Sequence, residues 1–296
     1  MSLEANPVLG CLLAALDERL AGPGVEWLRA ECESMESGDS KRLLLSLSMA
    51  SRQAKRKPLA ASRDLRERAS LALPGLDVER WTQLDGVRVL LICAAQTGDP
   101  DGFAALYEQA FTYADDGEQQ ALLRALPLLE DGKSFVWRAG EGCRTNIVPV
   151  FEAVALDSPY PAMHFDEIAW NQMCIKAVFL GADLHRAVGF DRRRNPELAR
   201  MALDLADERR SAGRLVQPEL WMCLGSDAGE RGRLALELEL QQGSLEGRVA
   251  ATLGLARADV TLRLQELAKD SNPAVAQAAQ AALLSPPTSS AFAHLS

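Results

Sequence analysis

Apolar residues in this chain recur every three to four positions, the spacing that lines one face of a helix. Leu43, Leu44, Leu47 and Ala50 show it plainly. No stretch alternates β-branched and polar residues over a sustained run, so a sheet is not expected. Capping signals divide the helical pattern into elements. Asn6-Pro7 opens a first helix, with a capping side chain and a first-turn proline, and Gly22 closes it. Helices follow over 25–35, over 40–55 and over 62–73, the last two stopped by Pro58 and Pro74-Gly75. The basic cluster 52–57 reads as a solvated helix end facing the negative pole of its dipole.

A short turn or helix covers 77–84, and 87–96 is apolar and buried. From Asp99-Pro100 two antiparallel helices are expected, joined at Asp115-Asp116-Gly117 and each opened by an acidic cap. A glycine-rich, poorly periodic break at 131–142 precedes a helix over 145–156. Beyond the central stretch 157–195, Asn195-Pro196 caps a helix to Ala212, and Pro218 starts another that contains Trp221. The remainder is a run of short helices divided at Gly243, Asp259 and Asn272-Pro273. Its DSNPAVAQAAQAALL resembles the second helix of a HEAT-type pair, whose apolar faces stack on their neighbours. The expected fold is all-α: an array of antiparallel helical hairpins, a HEAT/ARM-like α-solenoid. A single helical-repeat domain would cover 1–284, comprising helices of 1–130, a core at 143–225 and HEAT-like helices at 228–284. From Ser285-Pro286-Pro287 periodicity ends, and 285–296 is expected to be a disordered tail.

The helix predicted over 166–181 stands apart. Trp170, Met173, Cys174, Ile175, Ala177, Val178, Phe179 and Leu180 point in almost every direction around its axis, which is the pattern of a buried helix. Asn171, Gln172 and Lys176 then need partners. Either they hydrogen-bond neighbouring helix ends while Lys176 reaches solvent along its stem, or they line a polar pocket with Trp170, Glu167 and His164. His185 and Arg186 follow the helix, then Arg192, Arg193 and Arg194. Guanidinium forks suit an anion beside the positive end of the helix that opens at Asn195, or else form a salt-bridge hub. Arg144, Asn146 and Glu152 on the preceding helix, and Trp221 on a later one, are further candidates if the hairpins stack in order. Acid–base chemistry by His164 with Asp166 or Glu167 is permitted by proximity, though no spacing demands it.

A net charge of −9 argues against a nucleic-acid binder. Six scattered cysteines without a CxxC read as buried or free thiols in a reducing compartment, and the apolar setting of Cys174 is no place for a nucleophile. Three histidines make no HExxH or Cys/His metal signature, and Asp99, Asp101, Asp115 and Asp116 read as helix caps. There is no GxGxxG or Walker sequence, so neither metal nor cofactor is expected. The chain lacks a basic n-region and any apolar run of the roughly 20 residues that span a bilayer, which points to a cytoplasmic protein without stable membrane insertion.

The block HFDEIAWNQMCIKAVFLGADL, preceded by NIVPVFEAVALDSPYP and followed by GFDRRRNPELARMALDLADERRSAGRLVQPELW, resembles the EboA family of the bacterial ebo gene cluster. The runs WNQM, RRxNPxLA and PELW carry the resemblance, which is strong over 144–221. Cys174-Ile175 stands where two aliphatics are expected. The resemblance implies a gene cluster that also carries a UbiA-like prenyltransferase and putative metal-dependent hydrolases or sugar-isomerase-like enzymes. Such clusters are linked to making or exporting small secondary metabolites. The family supplies no catalytic residues to carry over. The expected function is therefore an accessory protein that binds a small metabolite, anionic or isoprenoid-linked, or an enzyme of the same gene cluster, around Trp170, Asn171 and Lys176. An acid–base enzyme and a pure protein–protein scaffold are the alternatives.

Overall fold

The computed structural model describes residues 5–258 and 260–295. The regular structure of the described residues is all helix, joined by turns and loops, with no strand and one isolated bridge between Pro58 and Thr82. The chain divides into two compact units, Met1–Phe165 and Asp166–Ser296.

The first unit contains α1 (Pro7–Asp17), α2 (Gly22–Glu36), α3 (Leu43–Gln53), α4 (Arg63–Ala72), α5 (Gln83–Gly98), α6 (Phe103–Tyr113), α7 (Asp116–Ala125), α8 (Val136–Arg144), α9 (Val148–Ala155) and α10 (Tyr160–His164). Its centre is α5, buried at every position from Leu84 to Ala95 and packed against α1, α2, α3 and α7. Thr82 and Asp85 form a capping box that starts α5 ahead of the apolar run expected at 87–96. A helix buried on all sides must satisfy its polar members internally. Asp85 pairs with Arg124, and the Arg88 guanidinium donates to Glu118 (3.3 Å) and to the Leu47 carbonyl (3.1 Å). Burial pulls Arg88 below its usual range, and Glu118 opposes that. Glu118 also takes the Ser48 hydroxyl and, as N3 of a second capping box, the Asp115 N–H.

Two expectations need correction in this unit. The break at 131–142 is largely helix: α8 begins at Val136 after a one-turn 3-10 helix, Gly132–Phe135. Gly142, which reads as a breaker, serves packing, because a Cβ there would come within 3.0 Å of Leu123, whereas one at Gly140 would meet nothing within 4 Å. The acidic cap expected for the 99–113 helix is indirect. Gly102 is the N-cap of α6, and Asp99 accepts its N–H at 3.0 Å.

The second unit contains α11 (Glu167–Leu180), α12 (Phe190–Arg193), α13 (Pro196–Ser211), α14 (Gly229–Gln242), α15 (Leu245–Arg257), α16 (Thr261–Leu267) and α17 (Pro273–Leu284), with one-turn 3-10 helices at Leu184–Arg186 and Ser289–Phe292 and a longer one at Pro218–Cys223. Here α15 is the central element, buried from Ala250 to Arg257 and packed on α14, α16, α17 and Pro218–Cys223. The division expected at Asp259, and residue Ser296 of the expected tail, lie outside the described residues. The rest of that tail is folded. Phe292 is fully buried beneath the Arg257 guanidinium, 5.1 Å from ring to cation. One aromatic in an otherwise polar, aperiodic segment is enough to anchor it, and periodicity cannot reveal a single contact of that kind.

Among glycines, Gly98 meets the tightest constraint, since a Cβ there would lie 1.8 Å from the Met35 carbonyl oxygen. Gly98→Ala should therefore cost about 1–3 kcal/mol through backbone displacement. Gly10→Ala, in α1 with nothing within 4 Å of the new Cβ, should gain about 0.5–1 kcal/mol. Urea denaturation of the two variants checks the opposite signs.

Candidate functional site

Asp166 opens α11 by accepting the Ala169 N–H (2.8 Å), and Gly181 ends it in the left-handed region at φ 69°. The helix is buried on one side by Trp170, Asn171, Met173, Cys174, Ala177 and Val178. It is not buried all round. Ile168 is 69 % exposed and Phe179 60 % exposed, and Gln172 shares their face. The apolar-all-round pattern carried two meanings, core on one face and uncovered hydrophobic surface on the other, which composition around a helix does not separate.

Asn171 finds its partner within the unit. It donates to Asn195 Oδ1 at 3.0 Å and accepts from Asn195 Nδ2 at 2.9 Å. Asn195 in turn caps α13 by accepting the Leu198 N–H (2.8 Å) and donates to the Arg193 carbonyl (3.1 Å), so both of its donors and its acceptor are engaged. One turn of chain thus closes α11 against the start of α13.

The arginines divide by role. Arg193 lies over the Trp170 ring (4.6 Å) and donates to the Asp166 carbonyl; burial lowers its pKa against the pull of nearby acids. Trp170 is buried with an indole N–H that has no acceptor. Arg194 donates to the Leu224 carbonyl (3.2 Å), while Arg192 is exposed. Just ahead of them, Asp191 receives Arg257 (2.6 Å) and both the N–H and hydroxyl of Ser289 (2.9 and 3.0 Å). Of the three arginines proposed for an anion, two are committed to aromatic and carbonyl partners.

A further polar centre escaped sequence reasoning. Glu219, buried within the PELW run, accepts the Leu184 N–H (2.7 Å) and the His185 ring Nδ1 (2.8 Å). A buried carboxylate beside a tryptophan in a proline-opened turn was the available signal. Trp221 itself is fully buried with Arg210 stacked at 5.1 Å, and Arg210 is ion-paired with Glu239 (2.8 Å).

The candidates that precede Asp166 belong to the first unit. Arg144 ends α8 and pairs with Glu141, Asn146 is exposed, and Glu152 sits half-buried on α9. The His164 ring packs against Tyr160 (4.6 Å), whose hydroxyl donates to the Gly132 carbonyl (2.6 Å). Burial, then the Lys133 charge, lowers the His164 pKa below its ordinary value. Asp166 is engaged in its cap and Glu167 is exposed in the first turn of α11. Burial pushes the thiols of Cys93, Cys143 and Cys223 up to about 12, which keeps them protonated and unreactive. Among the described residues no group of three or more His, Cys, Asp or Glu could hold a metal ion, and no helix is long and apolar enough to cross a membrane.

Fold and site together define an all-helical protein in which the side chains of three short motifs knit α11 to the segments that follow it. The EboA family model, described as metabolite traffic protein EboA, matches residues 8–225, and the chain belongs to that family. No curated protein and no solved structure matches it.

Two outcomes are expected. Asn171→Ala should lower stability by about 1–3 kcal/mol by leaving one N–H of the Asn195 amide without its acceptor. In a double-mutant cycle with Asn195→Ala the two losses should sum to more than the double variant loses. For His164, a depressed pKa means that the unfolded chain binds the proton more readily. Its contribution is complete above about pH 6.5 and lost as pH falls through the folded value. His164→Gln should flatten the acid limb of a stability–pH profile, and an unchanged limb would show the ring to be ordinarily solvated.

Proposed function

We propose that this chain serves metabolite traffic as a non-catalytic, cytoplasmic accessory protein that docks a small metabolite or an enzyme of the same pathway on the outer face of α11. The supporting observation is that Ile168 and Phe179, large apolar residues in the family-matched span, stand 69 % and 60 % exposed on one face. Other large apolar residues are exposed too, among them Leu71, Leu215 and Leu262, and what sets this pair apart is that both share one face of a single helix, the arrangement of an interaction surface. Lys176 lies beside them with its ammonium 5.2 Å from the Phe179 ring, adding a positive charge at the edge of the patch. An amphiphilic ligand or partner with an anionic group suits that combination.

In this reading Trp170, Asn171, Arg193, Arg194 and Trp221 support the surface from behind, while Gln172 and Lys176 belong to it. Arg192 is a further exposed charge on the same unit. The adjacency of α14 with α15 and of α16 with α17 supports the array of helical hairpins, a HEAT-like solenoid, that we infer as the architecture.

Ile168→Asp and Phe179→Asp test the assignment. Both positions are exposed, so stability should change by no more than about 0.5 kcal/mol. Binding of cluster intermediates by calorimetry, and capture of cluster enzymes by the tagged protein, should each weaken at least about tenfold if that contact carries the affinity. Equal binding by wild type and both variants would sink the site.

A further inference from the structure

The segment 285–295 is held to the second unit in an uneven way. Ser285, Pro286, Thr288, Ser290 and Ala291 are exposed, whereas Phe292 is fully buried. Three polar contacts accompany that single anchor. Arg257 Nε donates to the Pro287 carbonyl (3.1 Å), and the Ser289 N–H and hydroxyl donate to Asp191. The 3-10 turn Ser289–Phe292 lies against Leu184–Arg186 and Pro218–Cys223. Beneath it, Arg257 keeps partners that do not depend on the segment: Met222 O at 2.8 Å and Asp191 at 2.6 Å.

This division matters for what opening would cost. If the segment lifts away, Asp191 and Arg257 still satisfy each other, so no buried charge is orphaned. What is lost is one aromatic contact and hydrogen bonds that water replaces, and the chain regains the conformational freedom of an exposed stretch. Elements with few buried contacts and solvent-exposed hydrogen bonds open well below the global unfolding free energy. The surface left behind would present a guanidinium face, a carboxylate acceptor and an aromatic-sized hollow. The resident segment shows what fits: an aromatic ring three residues after an N–H and a hydroxyl donor.

We propose that residues 285–295 form a releasable strap, latched by Phe292 under Arg257, and that its opening uncovers a receptor for a peptide segment of the strap's own type. The covered turns Leu184–Arg186 and Pro218–Cys223 lie within the family-matched span, while the strap lies outside it. Arg257 and α14 to α17 lie outside that span as well, so the strap rests on turns of the matched span and on a helix beyond it. This inference does not depend on the α11 surface proposed above.

Hydrogen exchange on the full chain tests it. In the wild type, amides of 288–295 should exchange together and at least about a hundredfold faster than those of α15, reflecting local opening. Phe292→Ala should speed strap exchange at least about tenfold further and deprotect Leu184–Arg186, leaving α14 and α15 unchanged. Adding a synthetic peptide with the sequence of residues 285–295 to that variant should restore protection at Leu184–Arg186. Strap amides that exchange at the same rate as α15 in the wild type would overturn the strap, whatever the fate of the variant. Failure of the peptide to restore protection, with Phe292→Ala folded, would overturn the receptor.

Discussion

Each unit is organised around an arginine that close helix packing has taken out of water. In the first, Arg88 sits on α5, a helix without a solvent-facing side between Leu84 and Ala95. In the second, Arg257 ends α15 with its side chain 2 % exposed. Burial lowers the pKa of Arg257 to about 10, with Asp191 pulling the other way. Breaking such a pair typically costs about 3–5 kcal/mol, yet replacing it whole by apolar side chains is often neutral. Its consequence is therefore less net stability than choice of arrangement. Arg88 finds all its partners only when α3 and α7 occupy their places, because one supplies the Leu47 carbonyl and the other Glu118. Arg257 does the same for Asp191, Met222 and Pro287, which lie 66, 35 and 30 residues from it in sequence.

The same economy of partners explains the three motifs that identify the family. WNQM and RRxNPxLA meet twice, in the Arg193–Trp170 stack and in the reciprocal amide pair Asn171–Asn195. PELW contributes Glu219, which gathers the Leu184 and His185 backbone and the His185 ring. The residues on which the family resemblance rests are here ones that hold one helix to the next. A double amide exchange is directional and has no apolar substitute of the same shape, so it discriminates against neighbouring registers where leucine packing would not. Specific side chains in a motif can thus be needed by the fold before any ligand is considered.

How far this was legible in the sequence follows from the range of each interaction. Caps are local, and Asn6, Ser62, Asp115, Asp166, Asn195 and Asn272 each accept an N–H at the helix start where the residue pattern placed or implied one. The need of Asn171 for a partner was also readable, since an amide on the inner face of an apolar helix cannot stay unpaired. The identity of that partner, 24 residues away, was not. The same holds for Glu219 with His185 and for the anchoring of Phe292, because tertiary pairing leaves no periodic trace. The 131–142 stretch misled for a different reason. Glycine lowers helix propensity wherever it falls, and only the neighbouring Leu123 makes its smallness useful at Gly142.

α11 has two unlike faces. Its inner face holds an amide fully satisfied by another amide, while its outer face shows isoleucine and phenylalanine to solvent. The inner face is otherwise hydrocarbon, with Trp170, Met173, Cys174, Ala177 and Val178 buried beside Asn171, so Ile168 and Phe179 are apolar residues in excess of what that face uses. Ile168 and Phe179 are three turns apart on one side, which spaces them by about 16 Å at the α-helical rise of 1.5 Å per residue. That length matches two to three turns of a partner helix or an elongated apolar molecule, and exceeds what a single exposed side chain left by chance would offer. With the Asn171 amide paired to Asn195, the docking surface we propose rests on the exposed side of α11, where Ile168 and Phe179 stand.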